Sequence, residues 1–186
     1  MTRESKMERF RVCAATLTAG AVLAIVMLPL AGLAEGAPDP NGPVIYLAEN
    51  LDEADGLGWC IDTLGRGFAE QLQTHSCKPQ GGDTQFRYDP ETRQIQSVEF
   101  EGKCMALGVS DNAAVPFALL DCVSEDPTQQ FGFNADTGRI TLVSEPNTCV
   151  VAGAKSRSAG PFMSRDLTIT ACDRADPARA TWLYRP

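Results

Sequence analysis

Phe86-Arg-Tyr88-Asp-Pro-Glu-Thr-Arg-Gln-Ile95 returns further along the chain as Phe131-Gly-Phe133-Asn-Ala-Asp-Thr-Gly-Arg-Ile140. In both, aromatics at i and i+2 put two rings on one face of a strand, the face that must enter a core. A polar turn follows, and Ile95 or Ile140 opens the next strand. Trp182 and Tyr184 repeat the aromatic pair a third time.

Working outward, each aromatic pair sits at a fixed distance from cysteines. Phe86, Phe131 and Trp182 lie 9, 9 and 10 residues after Cys77, Cys122 and Cys172. Upstream, Cys60 to Cys104 is 44 residues and Cys104 to Cys149 is 45. The second cysteines follow the first at 17, 18 and 23 residues. Such phasing is the mark of internal repetition. Six cysteines allow fifteen pairings, but a repeat favours the same pairing in every copy: Cys60–Cys77, Cys104–Cys122 and Cys149–Cys172. Each closes a loop worth on the order of 3 kcal/mol. The first cysteines are introduced by Gly58-Trp59, Gly102-Lys103 and Asn147-Thr148, where Gly or Asn suits a left-handed turn.

No apolar pattern of helical period is sustained after residue 35; Phe117-Ala-Leu-Leu120 and Leu167-Thr-Ile-Thr170 are short and bounded by turns. The class is all-β, with about four strands per copy, roughly twelve in total, and three such units close into a β-trefoil over residues 44–186.

Ahead of the repeat, Val12 to Ala34 carries no charge and follows the basic-leaning Met1 to Arg11. That pattern predicts a signal peptide over residues 1–34, cut after Ala31-Gly-Leu-Ala34, then a disordered leader over 35–43 with three prolines. An uncleaved anchor is the alternative, since about 20 apolar residues span a bilayer. Either way the remainder is expected beyond the membrane, secreted or periplasmic and not membrane-embedded. Disulfides are permitted there. The seventh cysteine, Cys13, falls inside the signal.

Without Arg3, Lys6, Arg9, Arg11, Glu4 and Glu8, the chain keeps 12 basic and 22 acidic side chains, a formal charge of −10. Nucleic acid is excluded as a partner on that balance. Catalysis would have to use His75, the only histidine, with Ser76. Neighbours on a strand face opposite ways, so that dyad fails. No metal-ligand spacing exists, and Asp52-Glu-Ala-Asp-Gly56 lacks the alternating ligands of a calcium loop. No enzyme, cofactor or metal is expected.

Cys60-Ile-Asp62, Leu72-Gln-Thr-His-Ser-Cys77 and Thr128-Gln-Gln-Phe131, in threefold phase, resemble the ricin B-type lectin domains. In that family a copy starts Cys-x-Asp, has a Leu-Gln-x-x-x-Cys strand and closes on Gln-x-Trp. The closing motif departs here: Thr84-Gln-Phe86, Gln129-Gln-Phe131 and Ala180-Thr-Trp182. The resemblance implies a carbohydrate-binding module whose shallow pockets use an Asp after the first cysteine and an aromatic two residues before the second.

Carried over by position, the first copy offers Asp62, Gln73, His75 at the stacking position and Asp83 where the family often has Asn. A carboxylate takes two hydroxyl donors and an amide both donates and accepts. The second copy has Ala106, Ala118 and Leu120, and the third Val151, Thr168 and Thr170, so both pockets read as lost. The expectation is an exported lectin-like module, binding a glycan or polysaccharide, with at most one retained sugar pocket. Two alternatives stay open. Asp62 and His75 serve local turns only, or the chain is a protein-binding β-trefoil, an inhibitor or structural adaptor, that has lost sugar binding.

Overall fold

The computed structural model describes residues 41–65, 67–79, 81–108 and 116–186. The expected signal peptide, and the expected leader up to residue 40, lie outside the described residues. The last three leader positions, 41–43, are seated on the domain. Gly42 is buried, its carbonyl accepts from Arg185 at 3.3 Å, and a Cβ there would overlap the Gln85 amide.

The described residues form twelve strands, four per copy. The first lobe holds β1 (Val44–Leu47), β2 (Trp59–Thr63), β3 (Leu72–Ser76) and β4 (Phe86–Asp89). The second holds β5 (Gln94–Ser97), β6 (Lys103–Leu107), β7 (Phe117–Asp121) and β8 (Phe131–Asn134). The third holds β9 (Arg139–Leu142), β10 (Thr148–Ala159), β11 (Phe162–Ala171) and β12 (Trp182–Arg185). Every strand pair is antiparallel. Lobes are joined by β4–β5, β8–β9 and β12–β1, and each lobe projects a hairpin: β2–β3, β6–β7 or β10–β11. This is the expected all-β trefoil.

The aromatic pairs explain why the lobes close. Phe86, Phe131 and Trp182 have no exposure. Two residues on, Tyr88, Phe133 and Tyr184 stand opposite Ile95, Ile140 and Ile45 in the joining ladders. Their rings meet at 5.8 and 6.5 Å, so the second aromatics of the three copies touch one another. One strand from each lobe is therefore glued to the next by the same residue types.

All three expected cystines are present, Cys60–Cys77, Cys104–Cys122 and Cys149–Cys172. Each loop is also closed by a backbone bond, in which the second cysteine's N–H donates to the carbonyl of Gly58, Gly102 or Asn147 at 3.0, 2.9 and 2.8 Å. Gly58 and Gly102 are left-handed, at φ +79° and +74°. Asn147 is not, which corrects the expectation for the third turn. The carbonyl contact recurs without the left-handed backbone.

A single helical turn precedes each aromatic strand: 3-10 turns at Gly82–Thr84 and Pro127–Gln129, and helix α1 (Pro177–Ala180). Their last residues are the variable first position of the closing motif, and all three are buried. Thr84 donates only to the Gly81 carbonyl just before its turn, at 2.7 Å, whereas Gln129 reaches back to the second-cysteine segment, accepting from the Val123 N–H at 2.8 Å and donating to the Asp121 carbonyl at 2.9 Å. No helix of the described residues is long and apolar enough to cross a membrane.

The threefold pattern breaks once. In the third lobe the hairpin is lengthened and shifts register between Ala152 and Ser156. Its strand β11 then pairs with β3 of the first lobe, Ser164 opposite His75, Arg165 opposite Thr74 and Asp166 opposite Gln73.

Candidate functional site

Alternation along the strands decides which side chains share a face. In the β2–β3 ladder Cys60 stands opposite His75 and Asp62 opposite Gln73, and opposed residues point the same way. Through β11 the face continues to Ser164 and Asp166, with Phe162 two residues before Ser164 and Arg157 opposite it. One sheet surface thus gathers Asp62, Gln73 and His75 from the first lobe with Arg157 and Phe162 from the third.

The reverse face holds the hairpin down. Arg165 is 4% exposed; its guanidinium sits 4.7 Å from the centre of the Trp59 ring, donates to the Gly153 carbonyl at 2.7 Å and pairs with Asp52. Asp52 also accepts from Ser156 at 2.6 Å, and these two contacts, Ser156 first, hold its carboxyl below the usual range. Ser76 donates to Glu53 at 2.9 Å and accepts from the Met163 N–H at 3.0 Å. Asp52 and Glu53, considered above as calcium ligands, are therefore committed to the hairpin and its neighbouring turn. Among the described residues no group of three or more His, Cys, Asp or Glu side chains is placed to hold a metal ion.

On the site face, Asp62 is sealed from solvent behind Lys78. The Lys78 ammonium lies 3.0 Å from Asp62 and 2.7 Å from Asp83, bridging two carboxylates. Neither Asp62 oxygen makes a well-aligned hydrogen bond, so the approach of Lys78 is the main compensation for its charge. Burial pushes the Asp62 carboxyl up to about 7, and the Asp83 charge adds to the rise against the opposing pull of Lys78. Asp83 lies in the Gly82–Thr84 turn, packed so tightly against Gly81 that a Cβ there would fall 2.6 Å from its oxygen.

His75 is 5% exposed and meets Phe162 edge-on, with ring centres 5.8 Å apart. Its Nδ1 is 3.0 Å from the Ser76 carbonyl, a contact that needs the proton on Nδ1 and leaves Nε2 as an acceptor. Burial lowers its pKa, partly opposed by that carbonyl, so the 3.7 Å approach of Nδ1 to Asp62 is not an ion pair at neutral pH. Gln73 donates to the Thr63 carbonyl at 3.1 Å and accepts from Arg157 at 3.5 Å; Arg157 pairs with Asp166 at 2.7 Å.

A cavity of about 460 Å³ opens between the lobes, with Gln73, His75 and Lys78 on one wall and Arg157, Phe162 and Ser164 on the other. Of the four residues singled out from sequence, Gln73 and His75 line it, Asp62 lies beneath Lys78, and Asp83 holds Lys78 from the far side. Lys78, Arg157 and Phe162 were missed. For the last two a signal existed, the 23-residue spacing of Cys149 and Cys172 against 17 and 18. In the second lobe Ala106 and Ala118 are buried and opposed. In the third, Val151, Thr168 and Thr170 line a smaller cavity of about 260 Å³ whose single carboxylate, Asp176, is taken by the Ala178 N–H and Arg179.

Residues 50–182 match the family described as the ricin-type beta-trefoil lectin domain, and the chain belongs to that family. No curated protein matches it in sequence. Among solved structures it is similar to a chain of the cytolethal distending toxin from Actinobacillus actinomycetemcomitans, at 18% identity and TM-score 0.53, over 79% of this chain and 92% of that one. It is also similar to the earthworm R-type lectin C-half, solved in complex with GalNAc, at 14% identity and TM-score 0.53, over 76% and 97%. The mdaA-1 domain aligns at 15% identity and TM-score 0.55, over 83% and 96%. At these identities the likeness is one of fold.

Proposed function

We propose that the protein is an exported carbohydrate-binding module with one sugar site, in the first lobe, walled by the hairpin of the third. The observation that carries this is the interlobe cavity. It sets an aromatic ring, Phe162, among an amide, an imidazole and two cations at Gln73, His75, Lys78 and Arg157. Apolar contact for a pyranose face beside a few fixed polar groups is the usual make-up of a small-ligand site. Membership of a lectin family and the GalNAc bound by the earthworm relative support the same reading. Three cystines suit an oxidising compartment, in keeping with export.

A second reading has one observation in its favour. Asp62, the carboxylate expected to face sugar, is already occupied by Lys78, as in a trefoil that has given up sugar and binds protein instead. A glycan screen on residues 35–186 separates the two. Binding that falls at least tenfold in Gln73→Ala and Phe162→Ala, with unfolding curves close to the parent, supports the lectin site. Capture of a specific protein with no glycan binding supports the other.

A further inference from the structure

We infer that the interlobe cavity selects an anionic saccharide, one carrying a carboxylate or sulfate, through Lys78 and Arg157. This rests on the carbohydrate-binding reading and names the ligand class. The chain as a whole is acidic, with 24 Asp and Glu against 16 Lys and Arg. Among the described residues that line the cavity, the charged side chains are Lys78 and Arg157, and no carboxylate is among them. Of the carboxylates that meet Lys78, Asp62 is buried beneath it and Asp83 is half-buried on its far side, while Asp166, which pairs with Arg157, is half-exposed on the same face but outside the cavity lining.

The bland account is that these ion pairs only fasten the hairpin. Arg165, Ser76 and the β3–β11 ladder already do that from the reverse face. The pairs also leave donors over. An ammonium has three N–H groups and a guanidinium five, while Lys78 meets two carboxylates and Arg157 one carboxylate and one amide. A neutral sugar would want a carboxylate acceptor, and Asp62 has no exposure with which to offer one. A cavity wall that carries two cations and no carboxylate is matched by a ligand rich in acceptors, and a planar guanidinium fits carboxylate or sulfate oxygens in pairs. His75 faces the same cluster in its neutral form.

The test is a panel of matched glycans: uronic acid oligosaccharides beside their methyl esters, and sulfated disaccharides beside their desulfated forms, titrated at fixed ionic strength. The expected result is at least a tenfold preference for charged members of one or both series, the series telling carboxylate from sulfate. Arg157→Gln, at a half-exposed position, should reduce that preference several-fold. Lys78→Gln should do the same, with Asp62→Asn/Asp83→Asn/Lys78→Gln as the variant that removes both partner carboxylates with the cation if the single change unfolds. Equal or tighter binding of the neutral members, or a preference unchanged in both variants, overturns the inference and leaves sugar binding standing. Absence of binding to any member overturns both.

Discussion

The hairpins of the first and second lobes have the same register and opposite chemistry. Cys60 stands opposite His75 as Cys104 does opposite Leu120, and Asp62 opposite Gln73 as Ala106 does opposite Ala118. Cystine, closing backbone bond and buried aromatic are alike in both. What differs is the outer face and what covers it. The first lobe is roofed by the β10–β11 hairpin, whereas among the described residues β7 receives from another lobe an isolated bridge at Gln71. The scaffold therefore asks nothing of positions 62, 73 and 75. Their polarity is free to serve a ligand, and in the first lobe a neighbouring hairpin encloses them in a cavity of about 460 Å³.

If the lobes are equivalent as scaffold, truncating the matching aromatic should cost the same in each. Phe86→Ala and Phe131→Ala both remove a fully buried ring, and each should lose about 3–5 kcal/mol in urea unfolding. A large inequality between them would show that the lobes do not share the core evenly. Ligand affinity of the folded fraction should stay unchanged in Phe131→Ala, whose lobe has no part in the cavity.

The roof is the next thing to remove. Arg165→Met keeps apolar bulk at the position but loses the guanidinium over Trp59 and its bonds to Gly153 and Asp52. Charged hydrogen bonds of this kind are worth about 1.5–3 kcal/mol, so a loss of about 2 kcal/mol is expected. Hydrogen exchange should quicken along Ser164–Asp166 and Gln73–His75 while β6–β7 stays protected. Uniform quickening would mean that the hairpin is not a separate fastening.

The same contrast shows what was legible in the sequence. Strand count, cystine pairing and lobe boundaries could be read because each constraint is imposed three times, and Phe86, Phe131 and Trp182 announce it at fixed spacing. Asp62, Gln73 and His75 were legible as one face, since period two and the pairing of the two cysteines set the register. Arg157 and Phe162 were legible only as part of an insert, from the long Cys149–Cys172 spacing; its seat on the first lobe was not, because the β3–β11 ladder joins segments about ninety residues apart, and no local pattern specifies a contact between lobes. Lys78 escaped for another reason: one lysine after a cysteine has no periodicity, and its role exists only once two carboxylates are brought to it. Asn147 marks the limit of the repeat itself, keeping the hydrogen bond but not the backbone conformation of its counterparts.

The smallest effect tests the difference at one position, Asp62 against Ala106. The folded Asp62 holds its proton to about 7, while the unfolded carboxyl releases it near 3.8. Between those values folding takes up a proton, so stability falls as pH rises through the window and levels off above it. His75 acts with the opposite sign, because its lowered pKa leaves the folded imidazole neutral where the unfolded one is protonated. That term withdraws stability as pH falls below the ordinary histidine value, so the two oppose each other in mild acid. Above pH 6.5 the His75 contribution fades and Asp62 dominates, and the carboxylates of Asp52, Asp89, Asp126 and Asp176, all shifted downward, are ionised throughout. The expected loss between pH 6.5 and 8 is about 0.5 kcal/mol, the Asp62 loss less the part that His75 returns. Asp62→Asn, which has no proton to release there, should abolish it. A slope that persists in Asp62→Asn would place the titrating group elsewhere, and a flat parent profile would mean that Lys78 keeps Asp62 ionised in the folded chain.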